Sequence, residues 1–125
     1  MRITLPSGTE AELARPSSEG TVAPTTGLVI APDVFGLRPL FDDLCARLAD
    51  EWNVVVCAPE PFAGMDLGPD VDARRAAVKA LDDEDRLRDF REAADATGCE
   101  RIVMIGFCMG GMYAVSYTHL TLPTN

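Results

Sequence analysis

Arg101-Ile102-Val103-Met104-Ile105-Gly106-Phe107-Cys108-Met109-Gly110-Gly111 is the stretch that decides how this chain folds. Ile102–Ile105 is a short continuous apolar run, the pattern of a strand buried on both faces. The G-x-C-x-G-G that follows has the spacing of the sharp strand-to-helix turn called a nucleophile elbow, with Cys108 in the central place. A residue at such a turn holds strained backbone angles. Its neighbours two positions away are therefore expected to be Gly, here Gly106 and Gly110, with Gly111 behind them. The turn lifts the thiol clear of the sheet at the start of the next helix, where unpaired N–H groups and the helix dipole favour thiolate over thiol. Two other readings fit the same residues: an amidotransferase-like or flavodoxin-like thiol enzyme, and a non-catalytic α/β binding domain in which a tight turn holds an inert Cys. A dinucleotide loop is excluded, because the spacing is not G-x-G-x-x-G and no acidic residue can be placed about 20 residues on.

Outward from this point the chain alternates strand and helix. Leu28–Ala31 and Asn53–Ala58 read as two further buried strands. Between them Pro39 suits a first helical turn, and Leu40, Leu44 and Leu48 recur at four-residue spacing. Two charged helical stretches, about Asp70–Leu81 and Asp83–Thr97, precede the elbow strand. Leu87, Phe90 and Ala94 form the apolar stripe of the second, and Gly98 ends it. Near the N-terminus, Ile3–Leu5 and Glu10–Ala14 flank Ser7-Gly8 as a hairpin. Buried strands separated by helices mean a mostly parallel α/β sheet with a hairpin at its start.

A net charge of −9 and a pI near 4.4 argue against nucleic acid or an anionic membrane as partner. The N-terminus has no apolar signal core, and no run approaches membrane-spanning length. Cys45, Cys57, Cys99 and Cys108 have no metal-type spacing, so four free thiols and a cytoplasmic location are expected.

Val115–Asn125 departs from this pattern, with three Thr, one Pro and no charged residue. The helix after the elbow is expected to run no more than two or three turns from Met109. The stretch Ser116–Thr124 resembles a translated sequencing adapter. Residues 1–114 are thus expected to be native and 115–125 a non-native tail. His119, the one His of the chain, is then no partner for Cys108; it would also sit on or just beyond the helix, pointing away from the elbow.

With the elbow in place, the chain from Met1 to about Ala114 resembles the dienelactone hydrolase family of α/β-hydrolases. The resemblance rests on Ala31-Pro32-Asp33-Val34-Phe35-Gly36-Leu37, on Val54-Val55-Val56-Cys57-Ala58-Pro59-Glu60-Pro61-Phe62, and on Gly106–Gly111. It implies a truncated α/β-hydrolase fold and a lactone or ester hydrolase that needs no cofactor or metal. It makes Cys108 the nucleophile of a thioester intermediate, with the N–H groups of Val34 and Met109 as the oxyanion hole. Asp33 falls where many members carry a Glu that contacts the nucleophile; it is one methylene shorter, and its other reading is a cap for local N–H groups. Arg74 and Arg75 lie near the family's carboxylate-binding position, and equally suit a solvated helix face. The family's triad acid and His follow the nucleophile on later loops and are not present in this chain. The 125-residue chain is accordingly expected to be inactive, with an unpaired edge at the elbow strand that favours aggregation.

Overall fold

The computed structural model describes residues 1–17 and 22–121, the last four of these by backbone alone. It contains, in chain order, β1 (Arg2–Thr4), β2 (Glu10–Ala14), β3 (Thr26–Ala31), α1 (Pro39–Trp52), β4 (Val55–Pro59), α2 (Val71–Val78), α3 (Asp83–Thr97), β5 (Arg101–Gly106) and α4 (Met109–Thr121). The five strands form one sheet in the order β1-β2-β4-β3-β5. β4, β3 and β5 are parallel, while β2 runs antiparallel to β4 and β1 antiparallel to β2. The parallel trio alone also fits a flavodoxin-type 2-1-3 order. The antiparallel hairpin on the outside of β4 is what departs from that fold.

Local chemistry sets the element ends. Pro39 opens α1 at a position whose N–H needs no helical partner. Asp82 caps α3 by accepting from Glu84 and Asp85, and Gly98 ends it at φ 70°. Several boundaries differ from the sequence reading: β3 starts at Thr26 rather than Leu28, and α2 stops at Val78 because Lys79, Ala80 and Leu81 continue only in i→i+3 turns. Asn53 does not start β4 but ends α1 at φ 52°, a left-handed conformation that Asn tolerates, so the strand begins at Val55. Leu5 is part of the hairpin turn, exchanging hydrogen bonds with Gly8 and Thr9, so β1 stops at Thr4. The last difference concerns the helix after the elbow. α4 spans 13 residues and runs through Thr118 to Thr121, past the expected stop. Each Thr costs only a few tenths of a kcal/mol to about 0.7 kcal/mol in helix propensity, and Pro, the strong breaker, comes only at Pro123.

The core lies in two layers. On one face Val29, Ala31, Val55 and Cys57 pack with Leu87, Phe90, Ala93 and Ala94 of α3 and with Tyr113 of α4. On the other, Leu28, Ile30, Val56 and Ala58 pack under Phe41, Cys45 and Ala49 of α1. Within the described residues β5 is an edge strand, and none of its residues is fully buried. No described helix is long and apolar enough to cross a membrane.

Candidate active site

The C-terminal ends of β3, β4 and β5 meet where three loops converge, and Cys108 sits at the tip of the third. It is exposed and holds φ 54°, one of two non-Gly residues at positive φ among the described residues. A residue with a Cβ there carries strain of order 1–3 kcal/mol, which persists only when its surroundings enforce it. Two glycines do the enforcing. A Cβ on Gly106 would fall on the Gly110 carbonyl, and a Cβ on Gly110 would fall on the Ala31 carbonyl at the end of β3. Gly111 is different: its nearest contact would be 3.9 Å away, so the turn does not require it. The Phe107 N–H donates to Ala31 O at 3.1 Å, which ties the elbow to β3, and Gly110 N–H closes the turn onto Phe107 O at 2.9 Å. The Phe107 ring meets Phe41 edge-on with centroids 5.5 Å apart.

The loop after β3 forms a turn in which Gly36 N–H donates to Asp33 O at 3.0 Å, leaving Val34 and Phe35 as its central residues. The N–H groups of Val34 and Met109 donate to no protein acceptor among the described hydrogen bonds. Asp33 takes the capping reading. Its Oδ1 accepts from the Phe35 N–H at 3.0 Å, and both its oxygens are held by Arg38, at 2.8 and 3.0 Å. The Arg38 guanidinium holds the Asp33 carboxyl below its ordinary value. No described hydrogen bond joins Asp33 to Cys108, so the expected contact with the nucleophile gives way to the stronger bidentate charge pair. Arg38 also lies over the rings of Phe35 and Phe41, 5.4 and 5.1 Å from their centroids.

Arg74 and Arg75 separate. Arg74 donates to Gly68 O at 2.6 Å and to Val34 O at 3.3 Å, with its guanidinium over Phe62. Arg75 is exposed on the outer face of α2. The sequence reading passed over Glu60 and Arg38. Glu60 Oε1 accepts from the Leu37 N–H at 3.1 Å, and burial pushes its carboxyl above the ordinary value. Its signal was an acidic residue set between two prolines directly behind a buried strand.

The other thiols are unlike Cys108. Burial pushes Cys45 and Cys57 up to about 12, which leaves them as neutral core groups. Cys99 is half-buried, with its Sγ 3.6 Å from Thr97 O. Among the described residues no cluster of His, Cys, Asp and Glu could hold a metal.

The profile of the Dienelactone hydrolase family matches residues 10–124. The chain is 32% identical over 92 residues to a carboxymethylenebutenolidase of Rhodococcus opacus, covering 70% of this chain and 36% of that one. It is 29% identical over 99 residues to the hydrolase pyvD of Aspergillus violaceofuscus, covering 74% and 40%. A solved structure from Klebsiella pneumoniae, described as a dienelactone hydrolase, superposes with a TM-score of 0.78 at 23% identity, covering 94% of this chain and 53% of that one. That last likeness speaks to the fold alone. The chain thus spans well under half the length of the two curated relatives.

Proposed function

The chain belongs to the dienelactone hydrolase family, and from that premise we propose that it carries the nucleophile half of an ester or lactone hydrolase site, with Cys108 as nucleophile. Cys108 Sγ attacks the carbonyl carbon, and the developing oxyanion is received by the N–H groups of Met109 and Val34. Collapse of the tetrahedral intermediate breaks the C–O bond, leaves a thioester on Cys108, and releases the alkoxide, which takes up a proton. Water then hydrolyses the thioester.

The observation that carries this reading is an exposed Cys held at positive φ by two glycines whose Cβ positions are already occupied by backbone. A turn with no task for its central side chain would relax by placing Gly there. Arg74, drawn to the Val34 carbonyl, is the better placed of the two arginines to hold a substrate carboxylate. Asp33 shapes the loop through Arg38. Among the described residues, no His or carboxylate hydrogen-bonds Cys108. We assign the base and acid of deacylation to sequence outside these 125 residues, and residues 115–125 to a tail that takes no part in the chemistry. The 125-residue chain then acylates once and does not turn over.

A chromogenic p-nitrophenyl ester tests this directly. The whole protein should turn over, and Cys108→Ala should lower kcat/KM by about a thousandfold or more. The 125-residue chain should release one equivalent of nitrophenol and gain an acyl mass on Cys108. Acylation spread evenly over the exposed nucleophiles, or full turnover by Cys108→Ala, would sink the proposal.

A further inference from the structure

We propose that Glu60 is a positioning residue for the oxyanion loop: its carboxylate, seated beneath Gly36, fixes where Val34 presents its backbone N–H. The proposal rests on the reading of Cys108 and Val34 given above. The turn Asp33–Gly36 is fixed at one end by β3. Its other end, Gly36-Leu37, rests on Glu60, whose Oε1 accepts from the Leu37 N–H at 3.1 Å. Glu60 Oε2 reaches the Phe62 N–H at 3.4 Å, so one carboxylate bridges the loops after β3 and β4. A Cβ on Gly36 would collide with both carboxylate oxygens, so the carboxylate fills the space that any larger residue would need. Gly36 itself stands at φ 71°, where Gly carries no steric cost.

Glu60 is in turn held rigidly. Its N–H donates to Glu10 O at 2.8 Å, and Arg86 donates to Glu60 O at 3.4 Å and to Pro61 O at 2.6 Å. Arg86 is buried and pairs with the buried Asp89 at 3.1 Å. The outcome is a rigid pillar from α3 through the end of β4 to the turn that carries Val34. A half-buried carboxylate accepting two backbone N–H groups is costly to retain for folding alone, since burial disfavours its charge. Its geometry acts on the one donor that the loop contributes to the site. Oxyanion stabilisation depends on that donor to within fractions of an ångström: removing such a donor costs about 10²–10³ in rate, and displacing a group by about 1 Å can cost 10².

The test compares two reactions of Cys108 in the whole protein: acylation by p-nitrophenyl acetate, which develops an oxyanion, and alkylation by iodoacetamide, which does not. Glu60→Ala should slow acylation by about 10–100-fold with KM within about threefold, while alkylation keeps its wild-type rate. Glu60→Gln, which keeps an oxygen for the Leu37 N–H and the shape of the side chain, should recover most of the loss; if Glu60→Ala does not fold, Glu60→Asp, one methylene shorter and so withdrawn from the Leu37 N–H, serves as the readout and should show the same selective loss of acylation. Equal acylation by wild type and a folded Glu60→Ala would overturn the role of Glu60. So would a parallel loss of acylation and alkylation, which would mark a purely structural residue. A wild-type protein never acylated at Cys108 would overturn the hydrolase reading, and this proposal with it.

Discussion

β3 and β5 lie side by side in parallel register, yet one is core and the other is not. Leu28 and Val103 are register partners on the same face of the sheet, and Leu28 is 2% exposed where Val103 is 47% exposed. Both strands are apolar runs of similar length. The difference lies in what covers them. α1 lies over β3 and β4 through Phe41, Cys45 and Ala49, and β3 has a strand on each side. β5 has α4 and α3 on one face, through Met104, Ile102 and Tyr113, while on the other face Val103 is left open. Met112 and Val115 of α4 are also exposed. Hydrophobicity therefore marks a strand as able to be buried, and position in the sheet decides whether it is. The elbow is built at the seam between these regions: its backbone is braced on Ala31 of the covered strand, and its thiol is carried by the uncovered one.

The largest effect expected from this contrast is in stability. Leu28→Ala should cost about 2–5 kcal/mol by urea unfolding, because it empties a packed site, whereas Val103→Ala should stay within about 0.5 kcal/mol. Similar losses at both positions would mean that β5 is covered in solution. Val103→Lys sharpens the comparison from the other side. The open edge of β5 offers unpaired backbone groups to a second chain, and a charge on its exposed face should reduce concentration-dependent self-association of the 125-residue chain, read by light scattering.

At the seam, Gly110 and Gly111 are neighbours with opposite expectations. Gly110→Ala drives a methyl group into the Ala31 carbonyl and should cost about 1–3 kcal/mol, with slower alkylation of Cys108 as the elbow loosens. Gly111→Ala meets nothing closer than 3.9 Å and lies inside α4, where Ala is favoured over Gly by up to about 1 kcal/mol. Thermal unfolding of the pair separates a glycine demanded by close approach from one that is merely tolerated.

The sequence made the elbow legible because its constraint is local: Cβ atoms two residues from the strained position have nowhere to go, and only Gly satisfies that. The strands and helices of the described residues were legible for the same reason, since each rests on an apolar run, on periodicity or on a turn or end signal such as Ser7-Gly8 or Gly98; the Asp82 cap was not read from the sequence. Asp33 was half legible. Its place in the loop follows from the motif, but its partner Arg38 is chosen by the turn geometry that folds the guanidinium back over Phe35. Glu60 was not legible, because its function in the fold is to support a loop 23 residues away, and no spacing rule reaches that far. The length of α4 was misread because the unfavourable propensities of Thr are small individually.

The smallest expected effect concerns acid. Asp33 and Glu60 stand at the ends of the two covered strands, and their carboxyls are shifted in opposite directions. Arg38 holds Asp33 below its ordinary 3.8, so the folded state binds its proton more weakly than the unfolded chain does. The stability from that pair is present above the ordinary value and is lost as pH falls through the depressed one. For a partly exposed bidentate pair this amounts to about 1 kcal/mol, shrinking in 1 M salt. Burial raises Glu60 above its ordinary 4.5, so its ionisation costs stability at neutral pH, and that cost is relieved as pH falls through the raised value. Urea unfolding from pH 7 downward should therefore show wild type first gaining on Glu60→Gln, and then, at lower pH, losing its advantage over Asp33→Asn. An Asp33→Asn gap that stays constant into strong acid would mean that the Arg38 clasp contributes no stability in solution.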